Sequence, residues 1–346
     1  KNMITKIFNF FRVNKNLAID LGTSNVLIYD KQKRKIVLNE PSVIVKDKKT
    51  GKTVAVGKEA REMLGKNPES IVVIKPLKDG VISDIDAARD MLYDFIKKIY
   101  GVSPFKPDVM LCVPIEVTTV EKRALFESMT GARKIYILEE GRAAVLGSGV
   151  NISLPMGNMV IDIGGGSTDI AVLSLNEIVA SKSIRVAGNS LDAAIAKYVK
   201  DNLKLVIGDR TAEKIKKNLA TAIQVPEDEN VKMPIKGRHL NTNIPIELEI
   251  SANQIQHAII DILETILDSI KEILSKCPPE IATDILDNGI VLTGGGALIK
   301  NLDKYIEQSV NIPVHIPQNP LESVVVGAGL AFDNKNILRT LLMKEN

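Results

Sequence analysis

Apolar residues along this chain fall into short runs that end in glycine-rich turns, and into longer runs that recur at helical spacing. Leu17-Ala18-Ile19 leads into Asp20-Leu21-Gly22, then Thr23, Ser24 and Asn25, then a second β-prone run to Tyr29. Met159-Val160-Ile161 leads into Asp162-Ile163-Gly164-Gly165-Gly166, then Ser167, Thr168 and Asp169, then a run to Val172. Each pattern predicts a β-hairpin whose turn carries Asp-x-Gly, and the duplication predicts two related halves. A third element, Gly289 to Leu302, holds Gly294, Gly295, Gly296 and Ala297 and predicts strand, tight turn, helix. The small residues of Val325 to Phe332 suit a closely packed helix. Thr118 and Glu121 predict a capping box that opens a helix ending at Gly131. Ser251 and Gln254 open a longer helix whose core stripe runs from Ile255 to Ile273, halted by Pro278-Pro279. The Pro-, charge- and Asn-rich stretch from Val225 to Pro245 predicts exposed loops and strands of a small subdomain.

Length and composition narrow the function. The chain has 346 residues, enough for two domains or one large one. Its net charge of +3 is too small to suggest a nucleic-acid partner. No apolar run reaches the roughly 18 residues that a membrane-spanning helix needs. Cys112 and Cys277 are too few for a disulfide framework and are expected to be reduced structural thiols. His239, His257 and His315 lack metal-ligand spacing. Thr50-Gly51-Lys52-Thr53 ends like a phosphate-binding loop, but Lys46 stands where the first glycine is needed. Counting Gly164 as the first position, Asp169 occupies the sixth, where the third glycine is needed, so the dinucleotide fingerprint is incomplete. No G-x-S-x-G elbow supports a serine hydrolase.

The hairpin turns fit phosphate chemistry. Glycine allows close backbone approach and positive φ. Successive N–H groups form a nest for anions, and Thr and Ser hydroxyls add donors. An Asp at the end of each strand can hold Mg²⁺, directly or through water. Two facing hairpins would clamp a nucleoside polyphosphate between two domains. For either hairpin taken alone, an ordinary tight turn is the alternative.

These elements, in this order, resemble the phosphate-1, phosphate-2, adenosine and connecting elements of the actin superfamily. Asn39 to Val43, Phe105 to Pro107, Val113 to Ile115, Glu121 to Arg123, Asp162 to Gly166, Cys277 to Glu280 and Val291 to Leu298 further resemble the MreB family of bacterial actins. The resemblance spans about residues 17–332. It implies an α/β actin-like fold of two related domains, each with a central mixed sheet and a smaller subdomain, with nucleotide in the cleft between them. The implied subdomains are IA (1–40, 75–154, 324–346), IB (41–74), IIA (155–190, 254–323) and IIB (191–253). The implied cofactors are ATP or ADP and Mg²⁺. The phosphates would contact Thr23, Ser24, Asn25 and Gly164, Gly165, Gly166. The nucleoside would lie near Glu213, Lys216, Gly294, Gly295, Gly296 and Ala297. Asp20 and Asp162 match the acids around Mg²⁺, Glu140 the acid that positions the attacking water, and Ser167 a hydroxyl that assists it.

The resemblance implies an ATPase that polymerises into membrane-associated filaments controlling cell shape. Its partners would be copies of itself, the inner face of the cell membrane, and other MreB copies or cytoskeletal proteins; its place would be the cytoplasm, peripheral at that membrane. A small-molecule kinase or phosphatase of the same superfamily is the alternative. Three departures from the family point to slow hydrolysis. Val26 removes a hydroxyl usually supplied by Thr, Ser167 replaces the usual Thr, and Gly141-Arg142 replaces Pro-Met. Gly141 is expected to loosen the turn, and Arg142 to pair with Glu140. These departures, with the Ile-, Lys- and Asn-rich and Trp-free composition, resemble copies from helical wall-less bacteria, where the role would be helicity and motility.

The first 16 residues contain no acid and the bases Lys1, Lys6, Arg12 and Lys15. Ile4, Ile7, Phe8 and Phe11 fall at helical spacing, so the segment reads as an amphipathic helix able to lie on an anionic bilayer. A helix packed on the body of the protein is the alternative. Phe105 matches the membrane-inserting loop of MreB, and Ile337 to Lys344 is a second, weaker apolar and basic segment.

Overall fold

Both expected hairpins form, and each seeds a sheet. The structure is a computed structural model and describes residues 15–101 and 106–333. In the first sheet the strands lie in the order Lys134–Glu139, Asp108–Val113, Asn16–Leu21, Asn25–Asp30, Lys35–Pro41. The first three are parallel and the last two continue as an antiparallel meander. The second sheet repeats this plan as Val314–His315, Ile290–Thr293, Asn158–Ile163, Thr168–Ser174, Glu177–Ile184. There too, three parallel strands pass into an antiparallel meander. The duplicated sequence pattern is thus a duplicated topology.

Apolar runs buried on both faces demand helices on both faces. On the outer face of the first sheet, Met91, Leu92 and Phe95 of the Ile85–Tyr100 helix pack onto Leu17, Ile19, Val109 and Leu111. Asp84 caps that helix by accepting the Ala87 N–H at 2.9 Å. The expected Thr118–Glu121 capping box opens the Thr119–Ser128 helix, which turns off at Met129 rather than at Gly131. On the second sheet, Ile255, Ile259, Leu263, Ile266 and Ile270 of the Ala252–Lys276 helix pack onto Met159, Ile161, Ile170 and Val172. Pro278 follows its end, as the sequence suggests.

A third core joins the lobes. Ala18, Leu27 and Met110 from the first sheet and Val160, Ala171 and Leu173 from the second close over two helices, Glu140–Gly147 and Ser323–Ala331. The two helices touch through glycine. A Cβ at Gly147 would collide with the Ser323 carbonyl, and one at Gly327 with the Ala143 carbonyl. The small residues read from Val325 to Phe332 therefore bring two backbones into contact.

Each lobe carries a small sheet. Thr53–Val56, Ile44–Asp47 and Ile71–Ile74 form one, with its own core of Val43, Val45, Ala55 and Ala60. Leu205–Val206, Lys232–His239 and Pro245–Ser251 form the other. Among the described residues, no helix is long and apolar enough to cross a membrane. The expected membrane residues Ile4, Ile7, Phe8, Phe11 and Phe105, and the segment 337–344, lie outside the described residues.

Gly147→Ala is expected to destabilise the protein by about 1–3 kcal/mol or more, because backbone, not a flexible side chain, blocks the added methyl. Urea denaturation followed by circular dichroism measures this; an unchanged midpoint would show that the helices can separate at little cost.

Candidate functional site

The register brings the two Asp-x-Gly turns to one place. Asp20 pairs across its hairpin with Leu27 and in parallel with Cys112. Asp162 lies directly opposite Asp169 and beside Thr293. Both aspartates thus sit at the carboxyl ends of central strands, where open α/β sheets bind ligands.

The turns touch. A Cβ at Gly165 would strike the Ser24 side chain, and one at Gly166 would strike the Thr23 hydroxyl and the Gly80 backbone. Neither Gly22 nor any of Gly164 to Gly166 has positive φ, so the expected left-handed turn is absent and close approach is what excludes larger residues. Gly164 N–H donates to the Ser167 carbonyl at 2.9 Å, and Gly165 O accepts from Asn189 N–H at 2.8 Å. The second turn is thereby tied to the start of the Gly188–Leu203 helix. Thr23 Oγ1 accepts the Gly80 N–H at 2.9 Å. Ser42 Oγ donates to Gly22 O at 2.5 Å. Ser24 is exposed to the cleft, whereas Thr23 and Ser167 are buried.

Four carboxyls crowd the cleft floor. Asp162 and Asp169 are buried, while Asp20 and Glu140 keep a little surface toward the cleft. Burial first, then the charge of Asp162, pushes Asp20 up to about 7. Burial pushes Asp162 up to about 7 as well; the Thr293 hydroxyl, donating at 2.7 Å, opposes this, and the charge of Asp169 adds to it. Asp169 rises to about 6 through burial, held down by the Ile115 N–H that donates to its Oδ1 at 2.9 Å. Its Oδ2 has no hydrogen-bond partner among the described residues. Glu140 lies well above the usual carboxylate range through burial and the charges of Asp169, Asp20 and Asp162. Cys112, beside them, is buried, and its thiol is pushed far up by burial and by the charges of Asp20 and Glu140. A thiol so raised is inert, in keeping with the structural role expected of it.

Such a floor calls for positive charge. Among the described residues, no three ligating side chains converge tightly enough to cage a bare cation. The all-oxygen donor set suits Mg²⁺, which keeps several waters and binds through one or two carboxylates and phosphate oxygens.

The cleft walls come from both lobes. Arg61 of the Lys58–Met63 helix pairs with Glu213 of the Asp209–Leu219 helix, and Lys75 pairs with Asp209 at 3.3 Å. Glu213 also pairs with Lys217 at 2.7 Å. Lys216 reaches Asp192 at 2.9 Å and the Gly188 carbonyl at 2.8 Å. The two charged residues among those expected at the nucleoside, Glu213 and Lys216, therefore hold protein partners in this structure. Asn25 lines a cavity of about 450 Å³ at the cleft mouth with Lys58, Arg61 and Arg210. Gly294, at φ +78°, and Gly296 press on Ile163, which joins the third glycine turn to the second. Gly295 is exposed, whereas Gly296 and Ala297 are buried beneath it.

Two expectations at the Glu140 helix are corrected. Arg142 does not pair with Glu140; its guanidinium lies 3.6 Å from Glu139 and 3.6 Å from Glu177. Residues two apart on a helix point in different directions, whereas residues three apart meet. Gly141 does not loosen the turn. It is buried, and a Cβ there would strike Ala171 and Ile115.

Sequence reasoning missed Asp169, Thr293, Arg61 and the Asp79-Gly80 turn. Asp79-Gly80 is a strong hairpin signal, with both residues at positive φ. Asp169 could have been found from its cross-strand position opposite Asp162. Arg61 carried no local signal.

In unfolded chains these aspartates titrate near 4. Their folded values near 6 to 7 mean that the folded chain holds more protons through this interval. Stability of the cation-free protein is therefore greatest in mild acid and falls as pH rises through about 7. Thermal melts between pH 5.5 and 8.5 are expected to show that fall, and Asp162→Asn to flatten it. A melting temperature that climbs with pH would contradict the shifts.

Comparison with known proteins gives a consistent picture. The family model described as MreB/Mbl protein matches residues 14–340. The cell shape-determining protein Mbl of Bacillus subtilis (strain 168) is 42% identical over 327 residues, covering 94% of this chain and 97% of that one. The cell shape-determining protein MreB of Escherichia coli (strain K12) is 42% identical over 339 residues, covering 96% of each. The crystal structure of MreB5 of Spiroplasma citri bound to ADP superposes with a TM-score of 0.88 at 38% identity, covering 95% of this chain and 98% of that one. A structure of the same protein bound to AMPPNP gives the same TM-score and identity. The MamK double helical filament, at 22% identity and a TM-score of 0.78, shares the fold.

Proposed function

The chain belongs to the MreB/Mbl family, and from that premise we propose that it is an ATP-binding, slowly ATP-hydrolysing bacterial actin that assembles into membrane-associated filaments controlling cell shape. The observation that carries this reading is the meeting of two glycine turns, one from each half, over a cluster of four carboxyls. Similarity to structures that hold ADP and AMPPNP supports an adenine nucleotide as the ligand. We divide the chain into subdomains at the borders expected from its sequence.

In this reading the phosphates lie against Thr23, Ser24, Asn25 and Gly164 to Gly166. The nucleoside lies between the third glycine turn and the wall carrying Glu213 and Lys216. Asp20 and Asp162 would hold Mg²⁺ through water, and a bound ion would supply positive charge beside the phosphates and the floor acids. Glu140 points its carboxyl at the attacking water and orients it, while fixed charges lower most of the barrier. Ser167 stands beside Asp169 and assists. Hydrolysis is slow because Ser167 is less restricted at χ1 than Thr and Val26 supplies no hydroxyl.

Phosphate release and light scattering after MgATP addition test this. Glu140→Ala is expected to lower phosphate release by about 100-fold or more while filaments still assemble. Unchanged release in that variant would remove Glu140 from the mechanism. Sugar-dependent ADP release without assembly would replace the filament by a small-molecule kinase.

The membrane reading rests on the N-terminal segment. Burial of one Phe contributes about 1.5–3 kcal/mol, and each base near anionic lipid about 1 kcal/mol. One monomer then binds reversibly, and a filament binds tightly through many copies. Deleting residues 1–12 is expected to weaken sedimentation with anionic liposomes and leave nucleotide binding intact; unchanged sedimentation would place the anchor elsewhere. Within the cell, composition and the loop departures favour helicity and motility of a wall-less cell.

A further inference from the structure

Arg142 is a buried cation with imperfect partners. It is 8% exposed, on the Glu140–Gly147 helix two residues after Glu140. Its Nε has no hydrogen-bond partner among the described residues, and neither does Glu139 Oε2, 3.6 Å away. Its second contact is to Glu177 Oε2, also at 3.6 Å. A buried guanidinium needs carboxylate partners, since an unpaired buried charge is costly. Here it is shared between two carboxylates and makes full hydrogen bonds to neither.

The two carboxylates belong to different lobes. Glu139 ends a strand of the first sheet, and Glu177 begins the edge strand of the second. Glu177 follows a tight turn, Leu175-Asn176, with both residues at positive φ. That turn is bonded to the connector leaving the helix: Leu175 N–H donates to Leu154 O at 3.2 Å, and Asn176 N–H to Ile152 O at 2.7 Å. Arg142 therefore sits where the chain crosses from one lobe to the other, on the helix whose first residue is Glu140.

Around this helix, the Glu140 carboxyl itself meets Asp169 of the second sheet, and the other close contacts are tight backbone packing. Gly141 presses on Ala171 and Ile115, and Gly147 on Ser323. Such contacts fix the helix's depth but resist rotation about its axis weakly. A charged arm reaching to the second lobe from the opposite side adds an off-axis restraint on that rotation.

We propose that Arg142 is a positioning residue: bridging Glu139 and Glu177, it sets the rotation of the Glu140–Gly147 helix relative to the second lobe and so aims the Glu140 carboxyl. The bridge makes hydrolysis responsive to the angle between the lobes. This rests on the reading of Glu140 as the water-orienting acid.

Glu177 provides the clean test, because its side chain is 80% exposed at a turn and away from the phosphate turns. If it were an ordinary surface residue, its replacement would be silent. Steady-state phosphate release, equilibrium binding of a fluorescent ATP analogue and thermal melting are measured for wild type, Glu177→Ala, Glu177→Asp, Arg142→Lys and Arg142→Met. The expected result is a fall in kcat of about fivefold or more in Glu177→Ala, with nucleotide affinity and melting temperature little changed, as for a small misplacement of a reacting group. Glu177→Asp and Arg142→Lys are expected to recover part of the loss, and Arg142→Met to lose at least as much as Glu177→Ala. Unchanged kcat in Glu177→Ala overturns the proposal. So does a loss in both non-conservative variants that tracks nucleotide affinity or melting temperature. If wild type hydrolyses and Glu140→Ala hydrolyses equally, the reading of Glu140 fails first, and the two failures are thereby told apart.

Discussion

Carboxylates gathered away from water repel one another and lose their hydration. Asp20, Asp162, Asp169 and Glu140 are held together at the cleft floor, and burial raises the proton affinity of every one of them. Such a cluster costs stability, and a cation with its phosphates, as proposed for this cleft, would offset that cost. Other features of the cleft serve this arrangement. The parallel strands end together, so the acids meet. The glycines remove side chains that would hold the two turns apart.

The same economy governs the join between lobes. Two short helices lie between the two sheets, and glycine at Gly147 and Gly327 lets their backbones touch. One of these helices opens with Glu140, so the joint and the acid floor share an element. At the far side of the cleft, the Arg61–Glu213 and Lys75–Asp209 pairs span from one lobe to the other. The cleft between the lobes is thus bounded by a joint below and ion pairs above.

Much of this was legible in the sequence. Asp-x-Gly after an apolar run fixed both hairpins, because alternation and turn chemistry are local. The capping residues Thr118, Glu121, Ser251 and Gln254 marked two helix starts for the same reason. What escaped depends on contacts across long stretches of chain. Asp169 was read only as a break in a dinucleotide pattern, and its place beside Asp162 emerges once the hairpin register is known. Arg142 was expected to reach Glu140, but helix geometry turns it toward Glu139 and the other lobe. Glu213 and Lys216 were assigned by resemblance alone, and their partners Arg61 and Asp192 lie far along the chain or on another helix.

The central claim is that this acid floor is completed by a magnesium nucleotide. Calorimetric titration with ATP near neutral pH, in two buffers of different ionisation heat and with either magnesium or EDTA, tests it directly. The account predicts binding that depends on magnesium and releases protons, because the cation displaces them from Asp20 and Asp162. Equal affinity in EDTA, or binding with no net proton release, would contradict it.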